Sequence, residues 1–254
     1  MSLAYDRAGV GPVLVLLHPL GADRRVWEPV MGRLAAERDV IALDLPGFGG
    51  SPALSSHGHG PPTPAALAAA VAEFLPAIAP GGPHHVAGNS LGGWVALELA
   101  ANGHARSVTA IAPAGLWPEP LAPKRGLARG LARAIRPGLP VLVRSAAGRR
   151  LALGGTVAHP ERVPVAAALW LVQAYADAPG FEEVNRAMRA GRFTRLEHIR
   201  VPVTLAWAEQ DRLVARPAHL PPTVRGVDLP GAGHLPMWDA PEAVAEVLLR
   251  GSRL

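Results

Sequence analysis

"HHVAGNSLGGWVALELA", residues 84–100, sets one serine between a β-prone run and a longer apolar run of helical character. Gly88 stands two residues before Ser90, Gly92 two after, and Gly93 directly behind that. An ordinary surface serine needs no such neighbours. Where a buried strand hands over to a helix on a sharp turn, the apical residue has strained backbone angles, and glycines on both sides relieve the crowding. The hydroxyl then stands clear above the sheet, and the amide of Leu91 at the helix start points toward developing negative charge. The plainer reading is an N-cap serine on a common strand-to-helix turn. The rest of the chain has to decide between them.

With 254 residues and 49% hydrophobic content, the chain is long enough for a large core in a single α/β domain. Its apolar runs, such as Val163 to Val172, fall well short of the roughly 18 residues a membrane span requires. Met1 to Gly11 lacks a basic segment followed by an apolar core, so a cytoplasmic protein is expected. Cysteine is absent, which excludes disulfides, a thiolate nucleophile and cysteine-bound metal. The net charge of +5 does not read as nucleic-acid binding, because Lys124 is the sole lysine and the arginines are scattered. His57 and His59 resemble a metal pair, but no nearby carboxylate completes a ligand set; no metal and no cofactor is expected.

Short β-prone runs alternate with longer amphipathic ones: Val13 to Leu17, Val26 to Arg38, Asp39 to Leu43, Pro64 to Ile78, His84 to Ala87, Leu91 to Ala101. After a further strand signal at Val108 to Ala112, residues 117–195 read as helix broken by Pro137, Pro140, Gly154, Pro160, Pro164 and Pro179. Strand signals return at Val201 to Trp207 and Arg225 to Leu229. The expected architecture is α/β, a mostly parallel sheet with helices on both faces. Residues 1–116 and 196–254 form its core, and 117–195 an inserted helical lid.

A serine hydroxyl is a weak nucleophile unless a base takes its proton and a third group orients that base. Asp211 follows the strand-like "VTLAWAEQ", and His234 follows the next strand in "VDLPGAGHLPMWDAPE". Serine, acid and histidine in that order, the last two just after successive strands, gather at the carboxyl edge of the sheet. Glu209 is a rival for the acid. Asp211 is preferred because its shorter side chain suits a rigid turn. Behind the histidine, Asp239 reads as the N-cap of a last helix, with Pro241 inside it and Glu242 closing a capping box.

With these residues the chain resembles the α/β-hydrolase family over nearly its whole length. "VLLHPLGADRRVWEPVMGRLA" is similar to that family's oxyanion loop, and "VIALDLPGFGGSP", with Asp44 as its turn residue, to its Asp-x-x-Gly-x-Gly-x-Ser turn. Where the family has His-Gly, this chain has His18-Pro19. Proline has no N–H, so the resemblance carries the oxyanion donors to the amides of Leu20 and Leu91, with Gly21 as a substitute for Leu20. It implies a serine hydrolase that cleaves a small-molecule ester or related acyl bond through Ser90, His234 and Asp211. "GNSLGG" and "GHLPMW" are also similar to the meta-cleavage-product C–C hydrolases, whose glycine-rich first loop is missing at His18 to Ala22. A cofactor-free perhydrolase or haloperoxidase would use the same triad. The intact Ser-Asp-His order speaks against a non-catalytic binding module. Serine at the elbow argues against dehalogenase and epoxide hydrolase chemistry, which uses a carboxylate there.

Trp117, Trp170, Tyr175 and Trp238 are candidates for the substrate pocket, while Trp27 and Trp94 read as core. Between Glu119 and Glu161 there is no acidic residue, yet Lys124, Arg125, Arg129, Arg133, Arg136, Arg144, Arg149 and Arg150 fall there. On a helix Arg125, Arg129 and Arg133 share one face, with Leu127, Leu131 and Ile135 on another. That charged face is expected to point outward, either simply solvated or guiding an acidic partner or substrate.

Overall fold

The structure, a computed structural model, describes residues 1–54, 61–122 and 127–253. His57, His59, Lys124 and Arg125 lie outside the described residues, as does the side chain of Leu127. Among the described residues seven strands form one sheet in the order β1-β3-β2-β4-β5-β6-β7. They are β1 (Tyr5–Ala8), β2 (Val13–Leu17), β3 (Asp39–Leu43), β4 (His84–Asn89), β5 (Ala105–Ile111), β6 (Val203–Ala208) and β7 (Val224–Leu229). Only β1 runs antiparallel, against β3; the remaining pairings are parallel.

A parallel sheet covered on both faces needs strands that are apolar throughout, and "VLVLL" in β2 is such a strand. Its residues divide by parity. Val15 and Leu17 join Ile41 and Leu43 in one core with helices α2 (Pro64–Ile78) and α3 (Leu91–Ala101). Leu14 and Leu16 join Val40 and Ala42 in a second core with α1 (Glu28–Ala35). This is the period-two alternation of a pleated strand. Helix α2 begins where the sequence says it should: Thr63 accepts a hydrogen bond from Ala66 N (3.2 Å), and Pro64 occupies the first turn. Trp27 and Trp94 are buried. Strand β1 was not expected. Its four residues, Tyr-Asp-Arg-Ala, carry no apolar alternation, and it is held at the sheet edge by pairing with β3 and by the two-pronged contact of Arg7 with Asp39.

Between β5 and β6 lie α4 (Leu127–Ala134), α5 (Leu139–Leu142), α6 (Ala146–Leu153), α7 (Val165–Asp177) and α8 (Phe181–Ala190). Here the expected orientation of the basic face is wrong. Arg129 is 2% exposed, and its guanidinium donates to the carbonyls of Tyr175 (3.1 Å) and Ala178 and to Glu182 (3.2 Å). Arg133 donates to Ala176 O at 2.8 Å, while Leu131 is 64% exposed. The last carbonyls of α7 have no partner within their own helix, and Arg129 and Arg133 supply one, so Arg129 turns inward while Arg133 reaches the same helix end from the exposed surface. After β7 come α9 (Pro236–Asp239) and α10 (Pro241–Gly251). Among the described residues no helix is long and apolar enough to cross a membrane.

Candidate active site

Ser90 is the single residue between β4 and α3, with φ +55° and ψ −114°. For a residue bearing a Cβ this conformation costs on the order of 1–3 kcal/mol, so the surroundings must impose it. They do so through the backbone: Ser90 N donates to Ile111 O (2.9 Å), and Ser90 O accepts from Trp94 N and Ala114 N, both at 3.0 Å. The flanking glycines are required by space. A Cβ on Gly88 would stand 2.1 Å from Gly92 O, and one on Gly92 would stand 2.1 Å from Leu17 O. The sharp turn expected at Ser90 is thus present in the backbone, and the side chain of Ser90 caps no helix amide.

Because β4, β5, β6 and β7 are adjacent and parallel, the turns after β4, β6 and β7 share one edge of the sheet. Ser90, Asp211 and His234 occupy those three turns. Asp211 Oδ2 lies 2.8 Å from His234 Nδ1, with the two side chains 3% and 6% exposed. Asp211 Oδ1 accepts the backbone N–H groups of Leu213 (2.7 Å) and Val214 (3.1 Å). Burial pushes the Asp211 carboxyl upward, but the hydrogen bond and charge of His234, with the two amides, hold it below the usual carboxylate range. Glu209 is occupied elsewhere: its carboxylate accepts Gly231 N at 2.8 Å. The hydroxyl of Ser90 makes no hydrogen bond among the described residues. Serine and imidazole are thus brought to one edge without being joined.

The loop after β2 is pinned by a histidine. His18 Nδ1 donates to Pro19 O (2.8 Å), and Nε2 accepts Leu45 N (2.9 Å). The ring must be neutral to accept there, and burial depresses its pKa accordingly. Pro19 O also takes Ala22 N at 3.2 Å. The amides of Leu20, Gly21 and Leu91 are left without an acceptor among the described residues. Gly21 has φ +76°, and a Cβ there would stand 2.7 Å from the Tyr175 ring and 3.0 Å from Phe181. Tyr175 therefore presses on this loop, edge-on to Phe181 at 5.2 Å. Sequence reasoning missed both the His18 pin and Phe181; the "HPL" step hints only at the first.

The other aromatic candidates are dispersed. Trp117 packs edge-on against Trp94 at 5.8 Å and donates to Gly191 O. Trp170 and Trp238 pair at 5.8 Å, with Arg25 over Trp170. A polar cavity of about 190 Å³ touches His234, Thr156, Gln210 and Arg212, and a larger one of about 400 Å³ lies behind Asp211. Ser90 lines neither, and at 6% exposure it is covered. Asp44, fully buried, accepts Arg24 N and Gly50 N, as befits a turn residue. Among the described residues no three histidines or carboxylates converge as a metal would need.

Against known proteins, the model of the alpha/beta hydrolase family matches residues 14–247. The chain is 34% identical over 183 residues to the epoxide hydrolase EphH of Mycobacterium tuberculosis, covering 65% of this chain and 83% of that protein. It is 42% identical over 100 residues to the pimeloyl-[acyl-carrier protein] methyl ester esterase of Aeromonas hydrophila, covering 39% of this chain and 36% of that one. Among solved structures it is similar to a membrane phospholipase A described as a bacterial virulence factor. The TM-score is 0.72 and the identity 28%, over 99% of this chain and 83% of that chain.

Proposed function

This chain belongs to the alpha/beta hydrolase family, and on that premise we propose that it is a serine hydrolase cleaving a carboxylic ester or related acyl bond by way of an acyl-enzyme. The observation that carries the reading is the 2.8 Å contact of Asp211 with His234 on the sheet edge where Ser90 is held in its strained turn. The carboxylate accepts a hydrogen bond from Nδ1–H, which fixes the tautomer and leaves the Nε2 lone pair to act as base. Nε2 takes the Ser90 proton as Oγ attacks the carbonyl carbon. The tetrahedral oxyanion is met by the amides of Leu91 and Leu20, and the imidazolium returns its proton to the leaving alkoxide. Water, deprotonated by the same nitrogen, then releases the acid and restores Ser90. That the Ser90 hydroxyl and the imidazole are not hydrogen-bonded among the described residues does not oppose this role, because catalytic hydrogen bonds often tighten only around substrate. On this reading residues 117–195, the segment between β5 and β6, act as a helical lid, and Tyr175 borders the substrate.

Of the relatives' activities, the ester reading fits Ser90 and the epoxide reading does not. Attack of a serine oxygen on an epoxide carbon forms an ether, which water cannot cleave under these conditions; a carboxylate nucleophile forms an ester, which it can. The methyl ester esterase similarity supports the acyl reading for the same reason. The experiment is Ser90→Ala. Hydrolysis of p-nitrophenyl esters should fall by at least about 10³-fold with the unfolding transition unchanged. Turnover near wild type in that variant would end the proposal.

A further inference from the structure

Asp239 was expected to cap the last helix. It does not: α10 begins after Ala240 without a side-chain cap. The Asp239 carboxylate instead accepts three backbone N–H groups, from Gly233 (2.8 Å) and Ala158 (3.0 Å) on Oδ2 and from His159 (2.8 Å) on Oδ1. Gly233 immediately precedes His234. Ala158 and His159 belong to the stretch between α6 and α7, within the inserted segment.

A second bond closes the arrangement, since Leu235, directly after His234, donates N–H to Thr156 O at 2.8 Å. The two backbones touch in between: a Cβ on Gly233 would stand 2.8 Å from Ala158 N and 2.9 Å from Thr156 O. His234 is therefore bracketed: Leu235 bonds directly to one short stretch of the insertion, and Gly233 is linked to the same stretch through the Asp239 carboxylate. The bond to Asp211 orients the ring but does not locate its Cα. The preceding "GAG" contains Gly231 in the left-handed region at φ +68°, a loop with little stiffness of its own. The bonds of Gly231 N to Glu209 and of Gln210 N to Ala232 O tie that loop to the turn after β6, and the Asp239 carboxylate, accepting three amides, adds the restraint toward the insertion, because charge-assisted hydrogen bonds are about twice as strong as neutral ones.

We propose that Asp239 is a positioning residue for His234, fixing the histidine loop and the inserted segment to each other so that the base stands within reach of Ser90. The inference rests on the serine-hydrolase reading above. Reach matters because a misplacement of about 1 Å costs on the order of 10²-fold in rate.

The test compares Asp239→Ala and Asp239→Asn with wild type and with Thr63→Ala, which removes a remote helix cap and lowers stability without touching the site. A fluorophosphonate counts active serines by its end point and reads the base by its rate. In Asp239→Ala, kcat per labelled serine should fall about 10- to 100-fold with KM within about twofold, and the labelling rate should fall in step. Asp239→Asn keeps one acceptor oxygen and should lie between, which also serves if the alanine variant does not fold. Thr63→Ala should unfold earlier with kcat intact. A kcat per labelled serine within twofold of wild type in the Asp239 variants would overturn the proposal, as would an equal loss in Thr63→Ala. Ser90→Ala keeps the two readings apart: if it is inactive while Asp239→Ala is fully active, only the positioning role fails.

Discussion

Gly92→Ala places the added methyl 2.1 Å from Leu17 O and 2.7 Å from His18 O. Moving from 2.1 Å to ordinary contact at 3.4 Å takes a shift of about 1.3 Å. Neither partner can rotate away, because both are backbone: Leu17 ends β2 in the middle of the sheet, and His18 is pinned to Leu45. Replacing a helical glycine by alanine favours the helix by up to about 1 kcal/mol. Overpacking a rigid site costs about 1–3 kcal/mol, and against backbone the upper end applies. The net expectation is a loss of about 2 kcal/mol. The catalytic effect should be larger. The shift must displace either the start of α3, which carries the Leu91 amide, or the loop carrying Leu20. An oxyanion donor works only within about 2.7–3.1 Å of the oxygen, and losing one costs on the order of 10²-fold in kcat. Ester hydrolysis per fluorophosphonate-labelled serine gives kcat, and urea unfolding gives the stability. Gly130→Ala, where a Cβ meets nothing within 4 Å, is the control. A kcat for Gly92→Ala within threefold of wild type, with an unshifted unfolding midpoint, would refute the argument from space.

Asp211→Asn should cost on the order of 10³-fold in kcat or more, because the amide cannot hold the productive tautomer, whereas Glu209→Gln should stay within a few-fold; kinetics that reverse this ranking would move the acid to Glu209. Burial, then the charges of Arg38 and Arg106, lower His85 from 6.5 to about 4. A proton taken up only by the unfolded chain removes stability as pH falls from 6.5 toward 4, by about 2 kcal/mol between pH 7 and pH 5. His18, also depressed, acts in the same direction. Urea unfolding at the two pH values measures the slope, and His85→Gln should flatten part of it. Arg129→Glu should destabilise the protein by about 3–5 kcal/mol, since it places a carboxylate against the carbonyls of α7, while Arg144→Glu on the exposed surface should change it by less than about 0.5 kcal/mol. Thermal unfolding of the two variants side by side would show whether α4 turns its charge inward.

What the sequence determined by itself is whatever is set within a few residues. The limits of β2, β3, α2 and α3 fall where the apolar period and the Thr63-Pro64 start place them, because strand and helix patterns are local. The sharp turn at Ser90 is legible because glycines crowd around it in the chain itself, and the carboxyl-edge placement of Asp211 and His234 follows once each is seen to trail a strand of a parallel sheet. Only the tertiary structure decided the rest, and in each case the partner is distant in sequence. Strand β1 forms because β3 offers an open edge some 35 residues away. Arg129 faces inward because the carbonyls that need it are 46 and 49 residues further on. Asp239 leaves the helix cap because amides 80 and 81 residues back are satisfied better by a carboxylate than by water. Tyr175 reaches Gly21 only through the packing of α7 against the loop after β2, across 154 residues of chain. A polar side chain shows in the sequence what it can bond, and the fold alone decides which bond it makes.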